Sequence, residues 1–251
     1  MDAYHALAAS YDRLTNDVDY EATVEFYMQI LEREGYEPRT VADLACGPGS
    51  VTAILARMGY PVLGIDMSEE MLTEAMGKVM DMENPPRFVC QKLQELKLPR
   101  AVDMAGGALD SLDYITDPDD CKEAIRRTYK ALNPGGIFIF AVNTPEKLRA
   151  MDGQVFLDED DDVYCVWRGE FDEDTNICSY GMDLFQREGE IWHRSFEEHQ
   201  EYAYSIEQLK TYLKNAGFTQ VKVWADREFT APREGEQRVW FQARKGTVKR
   251  K

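Results

Sequence analysis

Val41-Ala-Asp-Leu-Ala-Cys-Gly-Pro-Gly-Ser50 is an apolar run that breaks into a glycine-bearing turn. Thr40 to Ala45 predicts a buried strand and Cys46 to Ser50 the turn, with Val51, Ile54, Leu55 and Met58 forming the inner face of a helix that follows. Gly47 and Gly49 have no Cβ, so they admit positive φ and close approach of a ligand to bare backbone. The first N–H groups of the helix point unpaired into the same space.

Upstream, residues 1 to 38 read as helices. One carries Tyr4, Leu7, Ala8 and Tyr11; a second carries Val24, Tyr27, Met28, Ile30 and Leu31 and stops near Gly35 and Pro38. The loop from Thr15 to Tyr20 separates them, and Tyr11 and Tyr20 serve either as packing residues or as a cover over the opening turn.

Downstream, Pro61 to Ile65 is a second strand ending in Asp66-Met67, and Ser68 caps a helix that runs to about Met82. Arg87 to Cys90 and Val102 to Leu109 are further strands. After the loop from Asp110 to Thr116, Asp117 caps a helix with Pro118 at its first position. Asn133-Pro-Gly-Gly136 then turns the chain into the apolar strand Ile137 to Val142. Apolar strands alternating with helices imply a parallel sheet covered on both faces, with right-handed crossovers.

The rhythm changes after Pro145. Val163 to Phe171, Ile177 to Arg187 and Ile191 to Tyr204 read as an antiparallel sheet inserted into the α/β chain. Ser205-Ile-Glu-Gln208 opens a last helix with a capping box, Gly217 ends it, and strands from Thr219 to Phe229 and Gln237 to Ala243 close the chain.

The 251 residues carry a net charge of −17. Between 151 and 205 stand 16 Asp or Glu against 3 Arg, a local net charge of −13. This balance argues against a nucleic-acid partner, whose phosphates are bound by Lys and Arg. The acidic stretch is either a solvated face or a lure for a cationic substrate. The basic run from Lys245 to Lys251 reads as a solvated terminus.

Cys46 and Cys90 read as core residues, and Cys165 and Cys178 as thiols facing each other across a hairpin. The three histidines are too scattered for a metal site. No apolar run reaches the roughly 20 residues of a membrane span, and the first residues do not form a signal peptide, so the expectation is a cytoplasmic protein.

A phosphate-binding P-loop ends in Gly-Lys-Ser/Thr, and this turn has no lysine. A nicotinamide or flavin fold requires a third glycine where Thr52 stands. Asp43-Leu-Ala-Cys-Gly-Pro-Gly49 resembles instead the first motif of the class I S-adenosylmethionine-dependent methyltransferases. Gly64-Ile-Asp66, Asn133-Pro-Gly-Gly136 and Gly217-Phe218 follow in that family's order. Asp110-Ser-Leu-Asp-Tyr114 resembles a stretch of small bacterial members, and the antiparallel insert is similar to that of amino-sugar N-methyltransferases.

The resemblance implies a Rossmann-like α/β fold with a seven-stranded sheet, mostly parallel with an antiparallel last strand, plus an antiparallel β insert after strand five. It divides the chain into a cofactor-binding domain, residues 1–145 and 205–246 with 1–38 as a helical lid segment, an inserted subdomain, 146–204, and a basic tail, 247–251.

The implied cofactor is S-adenosylmethionine, converted to S-adenosylhomocysteine. Asp66 would accept from the ribose hydroxyls. Ala45 and Gly47 would meet the methionine part through their backbone, beside Gly49, in a loop oriented by Asp43. Met67 and Leu93 would flank the adenine, Met67 reading equally well as core. Leu109 C=O would lie near the methionine amine, Tyr11 and Tyr20 would close the pocket, and Tyr11 would join Asp110 on the catalytic side.

Two positions depart from the family pattern. Ala45 replaces a common glycine, a mild change if its φ is negative. Lys92 stands where relatives often carry an acid, which moves adenine recognition onto backbone groups such as those of Leu93.

Asp110 would orient or deprotonate the acceptor, or serve as a plain loop acid, with Asp113 and Tyr114 nearby. The implied function is methyl transfer to a small-molecule acceptor, an amine on the strength of the acidic balance, with the β insert offering a homodimer contact. The alternatives are a protein or RNA methyltransferase, or a non-catalytic cofactor-binding module.

Overall fold

The computed structural model describes residues 7–15 and 18–247. Expectations placed on Tyr4, on His5 and on the tail from Val248 to Lys251 lie outside the described residues. After a 3-10 turn at Ala8–Ser10 come α1 (Tyr11–Leu14), α2 (Tyr20–Arg33), β1 (Val41–Leu44), α3 (Ser50–Arg57), β2 (Val62–Asp66) and α4 (Glu69–Val79). They are followed by β3 (Arg87–Cys90), β4 (Val102–Gly107), α5 (Pro118–Ala131), β5 (Leu132–Asn143) and α6 (Pro145–Ala150). The chain continues through β6 (Val155–Glu159), β7 (Val163–Asp172), β8 (Ile177–Glu188) and β9 (Ile191–Tyr202) to α7 (Ile206–Ala216), β10 (Phe218–Ala225) and β11 (Arg238–Lys245).

The expected caps form. Ser68 Oγ accepts from Met71 N at 3.1 Å, and an Asp117 carboxylate oxygen from Asp119 N at 2.7 Å. Ser205 and Gln208 make a reciprocal capping box, and Gly217 takes the left-handed conformation at φ 106°.

Seven strands form one sheet in the order β10-β11-β5-β4-β1-β2-β3, with β11 antiparallel to both of its neighbours and the other pairs parallel. The two-residue period of β5 builds both faces of the core. Phe138, Phe140 and Val142 pack with Ile125 of α5 and Leu209 and Leu213 of α7. Ile137, Ile139 and Ala141 pack with Tyr27 and Ile30 of α2 and Leu55 of α3. Among the described residues no helix is long and apolar enough to cross a membrane.

The second sheet is antiparallel, in the order β6-β7-β8-β9. Its inner face holds Val163, Cys165, Met182 and Leu184 under Leu7, so the N-terminal segment lies on this sheet. Polar contacts fasten the segment there. The Arg13 guanidinium grips the Asp160 carboxylate with two hydrogen bonds, 2.6 and 2.7 Å, and Leu7 N donates to Glu197 Oε1 at 3.1 Å. Leu157, Tyr164, Trp192 and Phe196, at the alternate positions, are exposed on the outer face.

Several local expectations are corrected. Strand four ends at Gly107, because Leu109 turns into the left-handed region at φ 57°. Asn133 to Gly136 lie inside β5 rather than before it: Leu132 pairs with Val102, and a register shift precedes the pairing of Met104 with Ile137. Cys165 stands opposite Leu184 and Cys178 opposite Phe171, so the two thiols do not face each other. Cys46 is buried but Cys90 is exposed. The strand after Gly217 ends at Ala225, and Phe229 folds back to meet Phe26 with ring centroids 4.8 Å apart.

Two elements escaped the sequence reading. Thr144 caps α6 with Pro145 at the first position, a legible signal. β6 shows no two-fold alternation of burial to be read.

Gly77 lies inside α4, and a Cβ built there meets nothing within 4 Å. Gly77→Ala is therefore expected to stabilise the protein by roughly 0.5–1 kcal/mol. A calorimetric scan should show Tm rising by about 1–4 °C; a fall would show that the helix needs glycine there.

Candidate active site

The chain leaves β1 toward β2 and β3, then crosses to the other side of β1 to form β4. Reversal of strand order opens a crevice outside the carboxyl ends of the strands, where α/β proteins bind ligands. A cavity of about 970 Å³, its mouth included, occupies that place. Each wall lies at the end of one strand: Ala45, Cys46 and Gly47 after β1, Asp66 and Met67 at the end of β2, Gln91 and Leu93 after β3, and Ala108 to Ser111 after β4. Tyr11 and Tyr20 also line it.

Most of the residues singled out by sequence are thus brought together: Tyr11, Tyr20, Asp43, Ala45, Gly47, Asp66, Met67, Leu93, Leu109 and Asp110 all line this cavity. Gly49 does not. It caps α3 in the left-handed region at φ 77°, and a Cβ there would lie 2.8 Å from Ala75 Cβ, so its role is close packing of α3 on α4. Lys92 is exposed and does not line the cavity, whereas its neighbour Gln91 does. Gln91, Gln94 and Met71 were missed, since no motif marks them.

Ala45 has φ 50°, not the negative value expected. With Leu109 it is one of two non-glycine residues held left-handed in the cavity wall, a conformation costing roughly 1–2 kcal/mol each. Here the turn geometry needed to expose backbone overrides local preference.

Asp66 is 8% exposed, and its carboxylate oxygens accept from Gly47 N at 2.8 Å and Ser68 N at 2.9 Å. One side chain therefore fixes the turns after β1 and β2. Each carboxylate oxygen carries two lone pairs, so both retain accepting capacity toward the cavity. Burial raises its pKa, and the backbone hydrogen bonds from Ser68, Gly47 and Met67 oppose that shift. Asp43, 1% exposed, accepts from Thr52 Oγ1 at 2.5 Å and braces β1 against α3.

A second cavity of about 1150 Å³ adjoins the first and shares Tyr11, Leu109, Asp110 and Tyr114 with it. Its far walls come from the end of β5 (Asn143), from Lys147 and Arg238, and from Trp167, Tyr180 and Glu201 on the inner face of the antiparallel sheet. The loop between the cavities is pinned to the chain after β9, where Tyr204 Oη donates to Ile115 C=O at 2.5 Å and Tyr202 N to Asp113 C=O at 2.7 Å. Asn143, Lys147, Glu201 and Arg238 were invisible as a group in the sequence, since they lie on four separate elements.

Burial pushes the Asp43 carboxyl from 3.8 up to about 7 against the hydrogen bond from Thr52. The folded protein then holds a proton that the unfolded chain releases over this window. Stability contributed by Asp43 falls as pH rises from about 4 to 7, and the loss is complete above that. Calorimetric scans between about pH 5 and 8 are expected to show Tm of Asp43→Asn varying several degrees less than that of the parent protein. Equal slopes would mean that Asp43 is ionised throughout.

Residues 41–136 match a family model described as a methyltransferase domain. A putative methyltransferase, YqeM of Bacillus subtilis (strain 168), is 31% identical over 244 residues, which cover 96% of this chain and 97% of that protein. A S-adenosylmethionine-dependent methyltransferase from Clostridium acetobutylicum ATCC 824 superposes with a TM-score of 0.87 at 30% identity, covering 98% of this chain and 100% of that one. The sugar N-methyltransferase KedS8 from Streptoalloteichus sp. ATCC 53650 shares the fold, with a TM-score of 0.78 at 17% identity over 94% of this chain and 92% of that one. The glycine turn after β1, the acid ending β2 and the antiparallel strand β11 thus stand in a chain similar over nearly its whole length to methyltransferases, and the protein belongs to the class I S-adenosylmethionine-dependent methyltransferase family.

Proposed function

We propose that the chain methylates a small-molecule amine, with S-adenosylmethionine in the cavity over β1 and the acceptor in the adjoining cavity. The observation that carries this reading is the junction of the two cavities at Asp110, Tyr11, Leu109 and Tyr114. The first cavity suits the cofactor on its own chemistry. It pairs a buried carboxylate that keeps accepting capacity with a turn of bare backbone at Gly47 and apolar walls at Met67 and Leu93.

When bound, the cofactor supplies a methyl group activated by its sulfonium sulfur. Asp66 would hold the ribose, Asp43 would keep the turn after β1 in place, and the backbone of Ala45, Gly47 and Leu109 would meet the methionine part. Met67 and Leu93 would flank the adenine. Tyr11 and Tyr20 would exclude water, and Asp110 would orient the acceptor's nucleophile, since in-line displacement depends mainly on alignment. The acceptor cavity is walled by the antiparallel sheet and the N-terminal segment, which favours a small molecule over RNA or a folded protein. We place residues 146–204 as the unit that shapes the acceptor cavity.

Calorimetry is expected to show S-adenosylmethionine and S-adenosylhomocysteine binding at micromolar concentration. Asp66→Ala should weaken both by about tenfold or more, as for a lost charge-assisted hydrogen bond; unchanged affinity would put the ribose elsewhere. Methyl-labelled cofactor incubated with a cell extract should label a small molecule, and label confined to protein or RNA would overturn the acceptor class. We also place a homodimer contact on the outer face of the antiparallel sheet, at Leu157, Tyr164, Trp192 and Phe196. Light scattering should give twice the chain mass, and Phe196→Glu should return it to the monomer value; a monomeric parent protein would refute the contact.

A further inference from the structure

Asn143 ends β5, is 1% exposed, and joins five charged side chains. Its backbone N donates to Asp113 Oδ2 at 2.8 Å, and its Nδ2 to Glu201 Oε2 at 2.7 Å and Asp110 Oδ2 at 3.4 Å. Its Oδ1 accepts from Lys147 Nζ at 2.8 Å and Arg238 Nη2 at 3.5 Å. The amide thus turns its oxygen to the cations and its nitrogen to the acids. Neither cation forms a salt bridge with these acids among the described residues; both act on Glu201 only through space.

Glu201 is 4% exposed yet lines the second cavity. Its Oε2 is taken by Asn143, while its Oε1 accepts no hydrogen bond among the described residues. Oε1 is not among the fully enclosed unpartnered atoms of the described residues, so it opens onto the second cavity, where a ligand can meet it. No group of three His, Cys, Asp or Glu side chains among the described residues is arranged to hold a metal ion, so the ligand chemistry this oxygen suits is a proton donor. Asp110 belongs to both cavities and stands on the cofactor side of Glu201.

We propose that Glu201 is the proton acceptor for the reacting nitrogen, and that the acceptor enters as a primary or secondary ammonium ion held between Glu201 and Asp110. This rests on the small-molecule reading above and narrows it. In the step, one N–H bond of the ammonium breaks and an O–H bond forms at Glu201 Oε1. The electron pair of the broken bond stays on nitrogen and becomes the nucleophile. Methyl transfer then forms the C–N bond as the C–S bond breaks, its pair remaining on sulfur, and the proton on Glu201 leaves to solvent.

The electrostatics agree with this role. Burial, then the neighbouring Asp110 charge, raise the Glu201 carboxyl to about 8, while Asn143, Lys147 and Arg238 pull the other way. A base poised there is matched to an aliphatic amine near neutral pH. The other titratable groups facing it are Asp113, raised by burial and then by Glu201 itself, and Tyr180 and Cys178 on β8, each raised chiefly by burial. On its own strand the nearest are His199 and Glu197, paired at 3.2 Å.

The test is calorimetry on the protein saturated with S-adenosylhomocysteine, with cyclohexylammonium and N-methylcyclohexylammonium as probes and cyclohexanol as the uncharged control. At about pH 7 free Glu201 is mostly protonated, so an arriving ammonium displaces its proton. Titrations in buffers of different ionisation enthalpy should report release of about one proton per site, falling toward zero near pH 9.5. Cyclohexanol should bind at least about tenfold more weakly. Glu201→Gln should abolish the proton release while keeping S-adenosylhomocysteine affinity, and Asp110→Asn should weaken the ammonium but retain the release. Absence of binding by both ammonium probes, binding without proton release at about pH 7, or release persisting in Glu201→Gln would each overturn the proposal. Failure of S-adenosylhomocysteine to bind at all would instead strike the cofactor reading beneath it.

Discussion

A parallel sheet that extends from β1 in one direction and then restarts at β4 on its other side must leave a crevice over β1. Nearly everything chemical in this protein depends on that reversal. It brings four strand ends to one place, and Asp66 stabilises two of them by accepting from Gly47 N and Ser68 N at once. The strands themselves, buried on both faces, are free to be apolar, so the polar groups of the site gather where the strands stop.

Building a site at those ends costs stability. Ala45 and Leu109 are held at positive φ, and Asp43, Asp66, Asp113 and Glu201 are buried carboxyls whose pKa values are all raised, chiefly by burial. Each is unfavourable in isolation. They persist because the apolar core on the two faces of β5 is large, and because hydrogen bonds from Thr52 and Asn143 satisfy an oxygen of Asp43, Asp113 and Glu201, and those from Gly47 and Ser68 both oxygens of Asp66.

The antiparallel sheet serves two parts of the molecule at once. Its inner face holds Leu7, and Asp160 beside it grips Arg13, so it anchors the segment that carries Tyr11 into the first cavity. The same face presents Tyr180 and Glu201 to the second cavity. The N-terminal segment and one wall of the second cavity therefore rest on the same sheet. Its acidity has two different sources: solvated side chains such as Asp161 and Glu190 at the turns, and buried ones such as Glu197 and Glu201 on the inner face.

Periodicity and turn chemistry act over a few residues, so a linear chain displays them fully. The strand before Gly47, the caps at Ser68, Asp117 and Ser205, and the alternation of Ile137 to Val142 were all legible for that reason. Much of the lining of the first cavity was legible too, because its residues sit at fixed offsets from strand ends. Local rules failed where long-range contacts outweighed them. Ala45 accepts positive φ because the turn is held from β2, and Cys165 misses Cys178 because register is set over the whole hairpin. The second cavity was not legible at all. Asn143, Lys147, Glu201 and Arg238 belong to four elements, and no sequence spacing relates them. The sequence by itself determined the α/β architecture and the place of the cofactor turn, because both follow from short-range pattern. Only the tertiary structure decided which charges meet beside Asp110, because burial and electrostatic proximity arise when distant strands pack together.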